Sequence, residues 1–143
     1  MVYPQGSSST LTETTPSYCI DLTDPTAFEQ LLVQVGQPMT LKGVIYLWSL
    51  DAHPELELTA AVEQSCRGAL HLLQTLATVV FPQPPHCWLV TAGAQAVGTR
   101  PLTAPAQTCL WGLAKTAMLE HPELPTICID LDPSTSIKLP SNS

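Results

Sequence analysis

The stretch GVIYLW at residues 43–48 decides the fold class of this 143-residue chain. It is a continuous apolar run in which polar residues do not alternate with apolar ones. Runs of this length and composition are typical of strands in parallel sheets that are covered on both faces. We therefore predict that residues 44–48 form a core strand, which the chain enters from Gly43.

On both sides of this run, other short apolar runs alternate with segments of helical periodicity. The runs predict further strands at residues 18–22, 87–90 and 126–130. The periodic segments predict helices at residues 25–36, 58–80 and 103–121. Asp24 and Pro25 provide an N-cap and a first helical residue, and Pro82 ends the long second helix.

The alternating order of strands and helices predicts an α/β fold, in which flanking helices join parallel strands through right-handed crossovers. We expect the regular part to cover residues 18–133. Residues 1–17 are rich in Ser and Thr and are predicted to form a loose N-terminal segment, and residues 134–143 a flexible tail.

Charge and hydropathy argue against several classes of partner. The chain has 12 Asp and Glu against 5 Lys and Arg, its formal charge is −7, and its cations are scattered. We therefore expect it to bind neither nucleic acid nor a membrane. The N-terminus has no leader-like apolar region, so we expect a cytoplasmic protein.

Cysteine and histidine spacing predicts no metal site. The five cysteines lack CxxC spacing and are predicted to be reduced core residues: Cys19, Cys66, Cys87, Cys109 and Cys128. The four histidines fall in different elements and are predicted to be surface or packed residues: His53, His71, His86 and His121. The three tryptophans are predicted to be core or interface anchors: Trp48, Trp88 and Trp111.

A dinucleotide site would need a glycine-rich turn after the first strand, because the pyrophosphate must approach backbone N–H groups at a helix N-terminus. The sequence contains no GxGxxG. Its nearest glycine pair, Gly93 and Gly98, follows a late strand with the wrong spacing. We interpret both as turn residues rather than as a cofactor site.

Catalytic candidates are equally sparse. A short-chain-dehydrogenase-type reductase needs a helical Tyr with a Lys or Asn four residues later, and Thr108 and Gly112 occupy those positions here. Thr91 at a strand end could only mimic the usual Ser. Asp51 follows another strand and is expected to cap a loop. Cys109 at a helix start has no base at recognisable spacing, so core packing is the favoured role.

Three stretches in register carry a family resemblance: GVIYLWSLD at residues 43–51, WLVTAGAQAV at 88–97, and LWGLAK at 110–115 continuing through EHPE at 120–123 to IDLDP at 129–133. They resemble the structural subdomain of modular type I polyketide synthase ketoreductases, particularly cyanobacterial-type sequences. The likeness covers residues 18–133, and residues 1–4 resemble the end of the family's second strand. Ala114 and Lys115 depart from a Gly-Arg pair.

The resemblance implies a truncated Rossmann-like, short-chain-dehydrogenase-like parallel sheet without catalytic, cofactor or metal residues of its own. In that family a second half binds NADPH and reduces β-ketoacyl groups on an acyl carrier protein. The implied partners are this catalytic half or other synthase segments, and self-association through open strand edges is also expected. Two alternatives stay open: a stand-alone enzyme using Asp51, Thr91 and Thr108, and an inert remnant of a broken synthase gene.

Overall fold

The computed structural model describes residues 2–4, 18–35, 41–51 and 56–134. Its strands are β1 (Val2–Pro4), β2 (Tyr18–Ile20), β3 (Gly43–Tyr46), β4 (His86–Ala92) and β5 (Thr126–Leu131). Its helices are α1 (Ala27–Val35), α2 (Leu58–Thr78) and α3 (Thr108–Glu120). The predicted order of elements from β2 to β5 is confirmed. Residues 5–17 of the loose segment predicted at 1–17 and residues 135–143 of the tail predicted at 134–143 lie outside the described residues, as does Gly36.

The strands form two parallel ladders. β1 pairs with β2, and β4 lies between β3 and β5. Because parallel neighbours need a crossover connection, α2 joins β3 to β4 and α3 joins β4 to β5. The predicted α/β fold with a parallel sheet and flanking helices is therefore confirmed.

The core lies between the three-stranded ladder and its helices. Cys87 and Leu89 of β4, Ala69 of α2 and Leu110 of α3 are fully buried. Near the C-terminal ends of α2 and α3, by contrast, the apolar side chains of Val80 and Leu119 are exposed to solvent. No helix in the described part of the chain is long and apolar enough to cross a membrane.

The prediction that residues 44–48 form a strand covered on both faces is wrong. Among the described strands β3 pairs only with β4, so it is an edge strand, and the side chain of Ile45 is 62% exposed. The strand ends at Tyr46 because residues 48–50 turn into a short 3-10 helix. Trp48 packs there against the rings of Phe28 and Tyr46, at centroid distances of 5.9 and 5.4 Å.

One face of the three-stranded ladder exposes large apolar side chains in the described part of the chain, although Val90 on the same face is buried. In the observed register Ile45 lies beside Trp88, Trp88 beside Ile127, and Val90 beside Ile129. Side chains alternate between the two faces of a strand, so these residues share the face opposite to the one that carries Leu89 and the helices. Ile127 and Ile129 are 43% and 40% exposed. We call Ile45, Trp88, Ile127 and Ile129 the open face.

Helix α2 approaches β3 closely at Gly68. A Cβ atom at this position would lie 2.7 Å from the Tyr46 hydroxyl oxygen and 3.2 Å from a methyl carbon of Leu22. The same hydroxyl donates a 3.4 Å hydrogen bond to the carbonyl oxygen of Ser65. Burial raises the pKa of Tyr46 well above its ordinary value, so this side chain acts as a packed neutral group.

Candidate functional site

The carboxyl ends of β4 and β5 are where parallel α/β proteins usually bind their ligands. Here this edge is occupied by hydrogen-bonded side chains of the chain itself, which we call the strand-end cluster. Its members come from the two strand ends and from the start of α3: Thr91, Gln107, Thr108, Trp111 and Asp130.

Asp130 is the centre of the strand-end cluster. Its Oδ1 accepts hydrogen bonds from the Thr91 hydroxyl at 2.7 Å and from the Ala94 N–H at 3.0 Å. Its Oδ2 accepts from the Gln95 N–H at 3.1 Å. Trp111 in turn donates its indole N–H to the Thr91 hydroxyl oxygen at 3.1 Å. The carboxylate therefore holds a loop to a strand and has three structural donors already in place.

Two further hydrogen bonds fasten the start of α3 to the same loop. The Oε1 atom of Gln107, whose residue is only 4% exposed, accepts from the Ala92 N–H at 2.9 Å. Thr108 donates its hydroxyl to the carbonyl oxygen of Ala94 at 3.0 Å. Within the described part of the chain, every buried side-chain nitrogen or oxygen has a hydrogen-bond partner. The cluster is thus satisfied internally.

Gly93 lies in the tight turn directly after β4, and the interpretation of this residue as a turn residue is confirmed by its φ of +72°. The N–H groups of Thr103 and Ala104 donate to its carbonyl oxygen at 3.0 and 2.9 Å. These bonds explain why α3 starts at Thr108, after a 3-10 turn, rather than at the predicted residue 103 or 104.

Thr103 packs directly over this turn. A Cβ atom at Gly93 would lie 2.0 Å from the Thr103 hydroxyl oxygen. A residue with a side chain at position 93 would therefore clash with Thr103.

The rim of the cluster is held by an ion pair. Gly98, with a φ of +60°, turns the chain so that Arg100 pairs with Asp132. Hydrogen bonds from Ser134, followed by those from Arg100, lower the pKa of Asp132 to about 2. The pair fixes the far end of the loop to the end of β5.

The three residues of the enzyme hypothesis have separate hydrogen-bond partners in the structure. Asp51 is exposed after the 3-10 helix at residues 48–50, and its N–H donates to the carbonyl oxygen of Trp48 at 3.2 Å. No hydrogen bond in the described part of the chain joins Asp51 to Thr91 or Thr108. The two threonines instead donate to Asp130 and to Ala94.

The prediction of five reduced cysteines is wrong for one pair. Cys66 of α2 and Cys109 of α3 form a disulfide, which leaves Cys19, Cys87 and Cys128 as thiols. The pair could not be foreseen because its members are 43 residues apart and meet only where the two helices pack. Cys109 is therefore not available as a free thiolate nucleophile in this state.

The described histidines have separate structural contacts. His71 Nδ1 lies 3.1 Å from the Leu22 carbonyl oxygen, His86 stacks on Trp88 at a centroid distance of 5.5 Å, and His121 Nδ1 lies 3.1 Å from Glu123 Oε1. His53 lies outside the described residues. Among the side chains that are described, no three of the His, Cys, Asp or Glu type lie close enough to hold a metal ion.

Sequence reasoning missed Asp130 and Gln107 as members of the cluster. The available signal for Asp130 was a carboxylate inside an otherwise apolar strand, since buried charges require partners. Gln107 gave no such signal, because a polar residue at a helix start is ordinary.

Comparison with known proteins places this geometry in context. A family model described as the Rossmann fold domain of the polyketide synthase extender module SpnB matches residues 5–141. The pikromycin polyketide synthase component PikAII of Streptomyces venezuelae is 38% identical over 84 residues, which cover 57% of this chain and 2% of that protein. This chain therefore spans a small fraction of the length of such relatives.

Two solved structures share the fold. One contains the adenylation, ketoreductase and pseudo Asub domains of a keto acid-selecting NRPS module; its TM-score is 0.74 at 21% identity, over 99% of this chain and 12% of that one. The other is a short-chain dehydrogenase/reductase from Vibrio parahaemolyticus, with a TM-score of 0.52 at 19% identity, over 82% of this chain and 59% of that one. At these identities the likeness establishes the fold alone.

Proposed function

We propose a function from the premise that this chain belongs to the family of Rossmann-fold domains described for the polyketide synthase extender module SpnB. Within such a synthase it would be the non-catalytic structural part of a ketoreductase. Its role would be to brace the half that reduces β-ketoacyl groups on an acyl carrier protein with NADPH. The chain itself would bind no cofactor and catalyse no step.

The closed strand-end cluster is the observation that carries this proposal. Ligands of parallel α/β proteins bind at the carboxyl ends of the strands, and cofactors enter close to a glycine turn. At this edge Asp130 binds Thr91 and two loop N–H groups, and Thr103 fills the space above Gly93. A fold that has closed its ligand edge with its own side chains is suited to support rather than to reaction.

The open face supports a docking role. Ile45, Ile127 and Ile129 expose large apolar side chains on one side of a three-stranded sheet. Parallel sheets are normally covered on both faces, because their strands are apolar throughout. We assign this face to the catalytic half of the ketoreductase, whose docking would remove the apolar surface from water.

The finer parts of the proposal follow from the sequence, through its composition and its family resemblance. They are the cyanobacterial type of the synthase, the bounds 18–133 of the structural unit between a loose segment and a flexible tail, and a cytoplasmic location.

The enzyme alternative, a stand-alone short-chain-dehydrogenase-like reductase, would need an NADPH site on this chain. The remnant alternative would leave the open face without a partner. The enzyme and the remnant each predict a different result from the proposed structural role, so one experiment can separate the three hypotheses.

The test is a fluorescence titration of NADPH into the 143-residue chain alone and after mixing with a catalytic ketoreductase half from a related synthase. If the chain is the structural part, we expect that it alone produces no change in NADPH fluorescence. On mixing, we expect it to raise the melting temperature or the activity of the catalytic half. Saturable binding by the isolated chain would favour the enzyme. Absence of any effect on mixing, repeated with several catalytic halves, would favour the remnant.

A further inference from the structure

The disulfide between Cys66 and Cys109 joins the middle of α2 to the first turn of α3. Both cysteines are only partly buried. An external thiolate can attack a disulfide that lies near the surface of a folded chain, whereas a disulfide inside the core is reached only after unfolding. The position of this bond therefore allows thiol exchange in the folded state.

The two sulfur atoms differ in access. An open groove of about 550 Å³ lies where α2 meets α3, and Cys66 lines it together with Val62, Leu70 and Leu113. Cys109 is not among the described residues that line it. We call this the disulfide groove. A thiolate that enters it meets the sulfur of Cys66 first.

The two sulfur atoms also differ in how well they leave as thiolates. Cys109 is the second residue of α3, where the helix dipole favours a negative charge. Cys66 lies in the middle of the 21-residue helix α2, and the nearby charges of Glu63 and Arg67 pair with each other. A thiolate is therefore more stable at Cys109, and the more stable thiolate is the better leaving group.

Cys109 directly follows two members of the strand-end cluster. Gln107 Oε1 accepts from the Ala92 N–H at 2.9 Å, and the Thr108 hydroxyl donates to the carbonyl oxygen of Ala94 at 3.0 Å. The disulfide thus fastens to α2 the same helix start that holds the loop after β4. Loss of the bond should loosen these two hydrogen bonds.

We propose that Cys66–Cys109 is a reversible thiol-exchange site, at which a thiol or dithiol reduces the folded chain by attack on Cys66 and so loosens the start of α3. This goes beyond the proposed function, because it concerns neither the open face nor a catalytic half.

The exchange consists of two displacements. In the first, the external thiolate forms a bond to the Cys66 sulfur, the bond between the two cysteines breaks, and its electron pair leaves on Cys109. In the second, another thiolate displaces Cys66. Two thiols are thereby oxidised to one disulfide, and the two cysteines are reduced and take up two protons. The reverse reaction, with a disulfide as the oxidant, restores the bond.

The first experiment measures the rate at which dithiothreitol reduces the 143-residue chain in urea concentrations below the unfolding transition. Exchange in the folded state should give a rate that changes by less than about twofold over this range, because no global unfolding is needed. A rate that rises exponentially with urea, at the slope of global unfolding, would overturn the proposal.

Cys19→Ser is the matched control, because it removes an exposed thiol outside the disulfide. The variant should be reduced at the same rate as the unaltered chain. A clearly lower rate would mean that Cys19 supplies the attacking thiolate, which would also overturn the proposal.

The second experiment identifies the sulfur that is attacked. A pulse of glutathione is followed after a few seconds by excess iodoacetamide, and the modified peptides are identified by mass spectrometry. We expect glutathione on Cys66 and the carbamidomethyl group on Cys109, about tenfold or more in excess of the opposite product. An excess of the opposite product would contradict attack on Cys66.

The third experiment follows hydrogen exchange by NMR in the oxidised and the reduced chain. Reduction should raise the exchange rate of the Ala92 amide about tenfold relative to that of Leu89 in the same strand, and should lower the melting temperature by roughly 5–15 °C. The double variant Cys66→Ser with Cys109→Ser should match the reduced chain and should not respond to dithiothreitol.

Equal acceleration of the two amides would show that reduction lowers global stability without loosening the start of α3, and would overturn that part of the proposal. None of these outcomes involves NADPH or a catalytic half, so a failure here leaves the proposed function standing.

Discussion

Asp130 connects the end of β5 to the end of β4 and to the loop that follows it. Its side chain accepts one hydroxyl and two backbone N–H groups, and the loop so held positions Thr103 over Gly93. A single carboxylate therefore joins the ends of two strands to the loop between them. The other acidic candidate at a strand end, Asp51, is exposed and makes no comparable contact in the described residues.

Asp130→Ala should destabilise the chain by about 2–4 kcal/mol, because three donors lose their acceptor in a partly buried site. Urea denaturation measures the change in the free energy of unfolding. Asp51→Ala is the matched control and should change it by less than about 0.5 kcal/mol. If both variants behaved alike, the loop would be held by Gln107 and Thr103 rather than by Asp130.

The three cysteine thiols should differ in reactivity because they differ in burial. Burial raises the pKa of Cys87 to about 12 and also raises the pKa of Cys128, whereas Cys19 is exposed. At pH 8 a thiol reagent should therefore label Cys19 first and Cys128 more slowly, with Cys87 reacting only on unfolding.

Mass spectrometry of the labelled chain tests this order. Reduction before labelling should add Cys66 and Cys109 to the reactive set, since both are only partly buried. Rapid labelling of Cys87 in the folded chain would show that β4 is accessible and that the core is not packed as described.

At the scale of elements, the packing of α2 on β3 depends on a glycine. Gly68 lets the helix approach Tyr46 and Leu22, and the Tyr46 hydroxyl then finds the carbonyl oxygen of Ser65. Helix α3 contains a glycine without such a neighbour, since no heavy atom lies within 4 Å of a Cβ placed at Gly112. The two helices therefore offer the same substitution in opposite environments.

Gly68→Ala should destabilise the chain by about 1–3 kcal/mol, because the clash with the Tyr46 hydroxyl outweighs the gain in helix propensity. Gly112→Ala should stabilise it by about 0.5–1 kcal/mol, since only the propensity gain remains. Thermal and urea unfolding of both variants provide the measurement. Adding Tyr46→Phe to Gly68→Ala should recover part of the loss, and no recovery would mean that Leu22 causes it.

At the scale of the whole molecule, the two faces of the three-stranded ladder differ in what covers them. Helices α2 and α3 cover one face of the three-stranded ladder, and the open face exposes large apolar side chains on the other. Exposed apolar surface of this kind marks interaction sites in otherwise folded proteins. Among the described strands, β3 forms an edge of the same sheet.

Ile127→Glu should weaken docking of a catalytic ketoreductase half by about tenfold or more, because it places a charge where apolar surface is to be buried. The isolated chain should keep its melting temperature, since Ile127 is partly exposed. Val80→Glu, at a 91% exposed site away from the open face, is the control. Isothermal titration calorimetry with the catalytic half measures both. Equal affinities for the two variants would assign docking to another surface.

The sequence by itself determined the class of fold and the order of its elements, because these depend on local patterns. Apolar runs bounded by Gly and Pro predicted β3 and β4, and helical periodicity predicted the helices. Helix α1 begins at Ala27 rather than at the predicted Pro25, after a turn in which the Thr26 N–H donates to Asp24 Oδ1. The lack of a glycine-rich turn after the first strand was equally visible, since it needs only the residues in order. Boundaries shifted where a distant contact intervened, as at the start of α3, whose preceding N–H groups bind Gly93.

Only the tertiary structure decided which strand is buried and how the ligand edge is closed. The runs at β3 and β4 are equally apolar, yet β4 lies at the centre of its ladder and β3 at an edge, because strand order is set by crossovers and not by composition. Asp130, Gln107 and the Cys66–Cys109 pair acquire their roles from partners 15 to 43 residues away along the chain. Such contacts exist only once the helices have packed on the sheet, and local sequence patterns carry no record of them.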